Sequence, residues 1–221
     1  MHPSPIVIDG PAGAGKSTVA RRLAERLGGT YLDTGAMYRA FTLRALRQGV
    51  DLQDPRALTR VVAEGELQLV PDAGGLQVRL DGEDVTAAIR TPEVTRAIHF
   101  IAGCAEVREL LVEEQRRLAE VLPPPVVAEG RDLGSIVFPA ARVKVYLDAS
   151  VEVRARRRLA ELGPDAPSLE ELEREIALRD ERDRSRGVAP LVRVPDATCI
   201  DSTALGPEAV LEALQHLVEQ A

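Results

Sequence analysis

The sequence has no tryptophan and only three tyrosines and three phenylalanines in 221 residues. Modules that read single-stranded RNA stack bases on aromatic side chains, so this composition argues against one. Lysine is almost absent. Of 28 basic residues two are lysines, Lys16 and Lys144, and the rest are arginines. A lysine kept against that bias points to a place where a compact ammonium is needed. Cysteine is scarce too, with Cys104 and Cys199 far apart and in no metal-binding spacing. They are expected to be reduced core residues of a cytoplasmic protein. No apolar run approaches the roughly 18 to 20 residues of a membrane span. The opening Met1-His2-Pro3-Ser4-Pro5 has neither the basic nor the apolar region of a secretory leader. A net charge of −7 argues against non-specific binding to nucleic acid or anionic membrane.

What is present is a repeated β-then-α pattern. Residues 5–9 form a short apolar run suited to a buried parallel strand. Apolar residues recur at helical spacing from Lys16 to Leu27, and Gly28-Gly29 supplies the stop. A strand over 30–32 and a helix from about 36 to 48 follow. Residues 66–70 and 76–80 alternate as a hairpin around a turn at Pro71–Gly75, which interrupts the βα pattern and reads as an insertion. Thr91-Pro92 is an N-cap with proline in the first helical position. A helix is expected over about 103–121, strands over 126–129 and 143–148, and a helix from about 151. Residues 163–167 are expected to form a flexible break before the capping box Ser168–Glu171. Strand 197–201 and helix 207–219 close the chain. This order predicts an α/β fold, an open parallel sheet with helices on both faces.

Gly10-Pro11-Ala12-Gly13-Ala14-Gly15-Lys16-Ser17-Thr18 contains the G-x-x-x-x-G-K-[S/T] phosphate loop, with a predicted strand before it and a helix after it. Its glycines let successive N–H groups point at phosphate oxygens, and the first helix adds its positive end. Lys16 suits the β- and γ-phosphates, and the Ser17 hydroxyl suits Mg²⁺. The loop alone leaves the acceptor open, because switch GTPases, motor ATPases and small-molecule kinases share it.

Three further segments bear on the acceptor. In Tyr31–Arg39, Thr34 and Arg39 flank a helix N-terminus, a setting for a second anion. In Val126–Gly134 a buried strand ends in Glu129-Gly130-Arg131-Asp132, where Arg131 suits a phosphate and Asp132 suits Mg²⁺-bound water or an arginine. Carboxyl ends of parallel strands are where open α/β sheets bind ligands. In Arg179–Arg186, Arg179, Arg182, Asp183 and Arg186 share one helix face, and Asp180 and Arg184 form a second i, i+4 pair.

Together these segments resemble the bacterial cytidylate kinases. The resemblance also takes in Gly82–Thr86 with Ile89-Arg90, Val137-Phe138-Pro139, Leu147–Ser150, Ala189-Pro190-Leu191 and Asp201-Ser202-Thr203. It implies a nucleoside-monophosphate kinase fold with a five-stranded parallel sheet. The core would be 1–35, 100–153 and 188–221. Residues 36–99 would be the acceptor-binding region, with the insertion at about 62–99. Residues 154–187 would be a lid (about 154–167, opening on Arg154, Arg156, Arg157 and Arg158) and an arginine-rich helix. The implied reaction moves the γ-phosphate of ATP to CMP or dCMP with Mg²⁺. The resemblance assigns the transfer to Lys16, Arg131, Asp132 and Arg158, and the donor to the loop and Arg157. It assigns the acceptor to Thr34, Tyr38, Arg39, His99, Arg108, Asp132, Arg179, Asp183 and Arg186. His99 departs from the family, which carries a small hydroxyl residue there. The implied partners are small molecules only, with no nucleic acid and no membrane, and the protein is expected to be a monomer. The alternatives are another acceptor, as in UMP/CMP, thymidylate or shikimate-type kinases, or a nucleotide switch. A switch would need a segment sensing γ-phosphate and usually carries Asn-Lys-x-Asp, which this sequence lacks.

Overall fold

Four short, largely buried strands lie side by side in the computed structural model, which describes residues 4–72, 75–162 and 166–221. They are β1 (Ile6–Asp9), β2 (Thr30–Asp33), β6 (Val126–Gly130) and β7 (Lys144–Asp148), and β8 (Thr198–Asp201) completes the sheet. The order is β2-β6-β1-β7-β8 and every pairing is parallel. β1 and β6 are buried throughout, as expected of strands covered on both faces. One face carries α1 (Lys16–Arg26) and α8 (Pro207–Glu219) over Ile6, Ile8, Val127, Val145 and Leu147. The other carries α2 (Thr34–Gln48) and α5 (Ala105–Val121) over Val7, Leu32, Val126 and Ala128.

The second apolar cluster extends into the insertion. α3 (Pro55–Ala63), the antiparallel β3 (Leu67–Asp72), β4 (Gly75–Leu80) and β5 (Glu83–Asp84), and α4 (Pro92–Gly103) pack beside α2. Residues 73–74 of the expected hairpin turn lie outside the described residues. α6 (Val151–Glu161) and α7 (Leu169–Ser185) pair through Ala155, Leu172 and Ile176. Residues 163–165 of the expected break also lie outside them.

Several expectations are corrected. α3 is absent from the sequence reading: only nine residues long, it offers few turns for a period to show, and Asp54 caps it. The helix expected over 103–121 starts at Ala105, because Cys104 is extended and ends α4. α2 starts at Thr34 because the Asp33 carboxylate accepts from the Ala36 N–H and caps it. Cys104 is buried but Cys199 is exposed: β8 is an edge strand whose buried residue is Ile200. Lys144 is structural, donating to the Pro139 carbonyl at 2.7 Å and pairing with Asp196 at 2.6 Å.

Candidate active site

The strand ends set the site. Register places Asp9 beside Gly130 and Tyr146, and Asp33 beside Glu129. These carboxyl-end residues flank the crevice on either side of β1, where the strand order reverses. The phosphate loop leaves β1 here. A side chain on Gly10 would put its Cβ 2.0 Å from the Leu147 carbonyl oxygen, at a φ of +152°, so only glycine lets the chain turn this close to β7.

The loop carbonyls are held by cations, one from the loop and two from α6. Lys16 is buried and donates to the Pro11 carbonyl at 2.8 Å. Burial and the neighbouring Arg131 push its ammonium down to about 7, against the pull of Glu129. Arg154 donates to the Ala12 carbonyl at 2.9 Å. Arg157 reaches the Ala14 carbonyl at 3.4 Å and is itself fixed by the Ser202 carbonyl at 2.7 Å. The sequence reading put Arg154 in a lid. It is instead buried beneath the loop, because Asp180 of α7 neutralises it there.

Glu129 is a functional candidate the sequence reading passed over. It accepts from the Ser17 hydroxyl at 2.7 Å, and its other oxygen is 4.0 Å from the Lys16 ammonium. Tyr31, whose hydroxyl is 3.4 Å away, is raised above its usual range by burial and by the charge of Glu129. The signal for Glu129 was its place as the last side chain before Gly130-Arg131 on a buried strand. Asp9 has the same signal. It accepts from the Leu133 and Gly134 N–H groups at 2.9 and 2.8 Å, and burial raises it to about 6.

On the acceptor side, Arg108 of α5 and Asp132 form a buried ion pair. Asp132 thus faces an arginine. The Arg108 guanidinium also lies 5.4 Å from the centre of the Tyr38 ring, a cation–π distance. The Tyr38 hydroxyl is buried with no hydrogen-bond partner among the described residues. Thr34 donates to the Glu129 carbonyl at 2.7 Å. Arg39 donates to Thr95 and to the Ile89 carbonyl, so it is tied to the insertion and not solvated. Arg131 pairs with Asp183 of α7 at 3.0 Å. Arg186 turns back to the Ala189 carbonyl.

These cations lie in each other's fields. Arg39 and Arg131 oppose the charge of Arg179, which burial and those two neighbours lower to about 10. Burial first, and then Arg90, Arg131 and Arg158, lower Arg39 against the pull of Asp33. Among the described residues no carboxylate lies within ion-pair distance of Arg39 or Arg179. The structure therefore gathers Lys16, Arg39, Arg108, Arg131, Asp132, Arg179, Asp183 and Arg186 about one crevice. It leaves two predicted residues at the margin. Arg158 is half-exposed and pairs with Glu161 at 3.0 Å. His99 is exposed on α4, where its Nδ1 lies 2.7 Å from the Arg96 carbonyl and its ring packs on Phe100. A crowd of arginines beside a phosphate loop is arranged for two polyanions facing each other.

Known proteins share this chain almost end to end. The sequence model described as cytidylate kinase matches residues 6–220. A cytidylate kinase of Geobacillus kaustophilus is 50% identical over 97% of this chain and 96% of its own. One of Shouchella clausii is 48% identical over the same shares. An uncharacterized protein from Eubacterium ventriosum has a similar fold, with a TM-score of 0.55 at 13% identity over 99% of each chain. Among the described residues no helix is long and apolar enough to cross a membrane. With phosphate loop, arginine crevice and insertion all inside the matched region, the chain belongs to the cytidylate kinase family.

Proposed function

We propose that this protein transfers the γ-phosphate of ATP to CMP or dCMP, giving ADP and CDP or dCDP. The observation that carries the reading is the crevice itself: Arg39, Arg131 and Arg179 crowd together without close carboxylates for two of them, directly before the loop that holds Lys16. Leaving cations unneutralised costs stability, and an anionic ligand removes that cost.

Phosphoryl transfer needs positioning and charge neutralisation more than covalent chemistry from the protein. The loop N–H groups and Lys16 would hold the donor, with Arg157 beside the loop. Arg39 and Arg108 would clamp the acceptor phosphate, each through a planar fork that binds two oxygens. Thr34 and Tyr38 line the same wall. Arg131, Arg158 and Arg186 would surround the migrating group, and Arg179 with Asp183 would face the nucleoside. The attacking CMP oxygen is already anionic, so no general base is required. Asp132 acts by orienting Arg108.

The donor set also fits Mg²⁺. Ser17 and Glu129 offer hard oxygens 2.7 Å apart, and no group of three or more metal-ligating side chains occurs among the described residues. Mg²⁺ takes one or two protein oxygens with water and phosphate, and would supply charge neutralisation between the phosphates. Ser17 would ligate it directly, and Glu129 would orient its water.

A coupled ADP-release assay with ATP, Mg²⁺ and separate CMP, dCMP, UMP, AMP, GMP and shikimate tests the reading. Fast release with CMP and dCMP and little with the others is expected. Acceptor-independent release would sink it. Fast release with UMP would keep the kinase and make the exposed His99 the first residue to replace.

A further inference from the structure

The buried stripe of α7 runs Leu172, Ile176, Asp180, at i, i+4 and i+8. The first two pack against Ala155 of α6. A carboxylate thus ends an otherwise apolar seam. Its partner is Arg154 of α6, Nη2 to Oδ2 at 2.7 Å, with both side chains 2% exposed. The other nitrogens of Arg154 are also committed. Nε donates to the Ala149 carbonyl at 2.8 Å, and Nη1 to the Ala12 carbonyl at 2.9 Å. The Arg154 Cβ lies 3.2 Å from where a side chain on Gly13 would begin. One side chain therefore touches the end of β7, the phosphate loop and α7.

This is a poor way to stabilise a fold. A buried ion pair carries a desolvation penalty that an apolar pair of similar volume avoids. Neither Asp180 oxygen makes an aligned hydrogen bond to a described residue, so the contact is mainly one of charge. It does tie the donor side to the acceptor side. Arg179 and Asp183 flank Asp180 on the same helix, and a carbonyl gripped by Arg154 cannot turn toward a phosphate in the loop.

We propose that Arg154 and Asp180 are a positioning pair. They fix the phosphate loop and the register of α7 together, so that filling the acceptor site raises the loop's affinity for the donor nucleotide. The proposal rests on the kinase reading above. Coupling of this kind is reciprocal between the two ligands.

The test is calorimetry of ADP binding with and without saturating CMP, together with thermal melts. Asp180→Asn leaves Arg154 buried and unneutralised, and should lower the melting temperature. Arg154→Met/Asp180→Leu replaces the pair by apolar side chains and should restore it. The double variant should nonetheless bind ADP about tenfold more weakly, about 1.4 kcal/mol. CMP should no longer raise its ADP affinity, while its affinity for CMP alone should stay within about twofold of the parent's. Restored melting with parental ADP affinity and parental CMP effect would make the pair structural and overturn the proposal. A parent whose ADP affinity ignores CMP would overturn it as well, and failure of the parent to bind CMP would overturn the acceptor reading with it. Should the double variant not fold, Arg154→Lys keeps the charge facing Asp180 but lacks the fork that spans Ala149 and Ala12. It should show the same loss for ADP, and parental affinity there would equally defeat the proposal.

Discussion

The charge of Lys16 should depend on whether a nucleotide is bound beside it. Burial, and then Arg131 and Arg179, outweigh the Pro11 carbonyl, Glu129 and Asp9 around the Lys16 ammonium, which falls to about 7. A bound diphosphate adds negative charge and returns it toward the ordinary lysine range. Between those two values the complex holds a proton that the free protein lacks. Nucleotide binding at pH 8 should therefore take up close to one proton, and affinity should fall as pH rises above about 7. Calorimetry in two buffers of different ionisation enthalpy measures this uptake. Uptake should vanish in Lys16→Met, and zero uptake in the parent would mean that Lys16 stays charged in the empty loop. Turnover of Lys16→Ala should drop by orders of magnitude with the fold intact, because in the proposed reaction the lysine would contact the transferring phosphates. Near-normal turnover would remove Lys16 from the chemistry.

At the scale of elements, α7 carries the sharpest contrast between what the chain announces and what it hides. Its start was legible: Ser168 and Glu171 exchange both bonds of the capping box. So was the phosphate loop, whose residues are contiguous, and α8 begins and ends where its apolar period does. The partners of α7 were not legible. Helical spacing offered Arg184 to Asp180, yet those groups stand 4.0 Å apart while Arg154, a residue of another helix, lies at 2.7 Å. Spacing along one helix knows nothing of a second helix packed against it. Asp183 was likewise placed on a ligand-facing surface without its link to Arg131 at 3.0 Å. A nucleoside bound at Asp183 would compete with Arg131 for the same carboxylate. Asp183→Ala should change the relative rates with CMP, dCMP and UMP by about tenfold, the worth of one lost charged hydrogen bond, with a smaller change in the KM for ATP. Rate ratios equal to the parent's would take Asp183 out of nucleoside recognition.

Over the whole molecule the charge balance runs against the local one. The chain carries −7, yet its crevice concentrates arginines, and burial, followed by repulsion from Arg131 and Arg39, holds Arg179 down to about 10. A net-acidic protein should therefore be stabilised by a further anion. CMP at about a hundred times its dissociation constant adds about 2.7 kcal/mol. For a domain of this size that should raise the melting temperature by about 5–10 °C. The rise should shrink as salt screens the less buried charges. Arg179→Gln separates the two sides of the balance. Without its charge the empty protein loses both a desolvated cation and its repulsion with Arg39 and Arg131, so it should melt at least as high as the parent. The same variant should lose most of the CMP-induced rise if, as proposed, the strained Arg179 is also the group that would face the nucleotide. Melts of both proteins with and without CMP read the two effects at once. A variant that melts well below the parent when empty would show that Arg179 supports the fold. One that keeps the full CMP rise would show that the nucleotide does not rely on it. The expected pair of results would tie the charge strain around Arg179 to the proposed binding of a phosphate there.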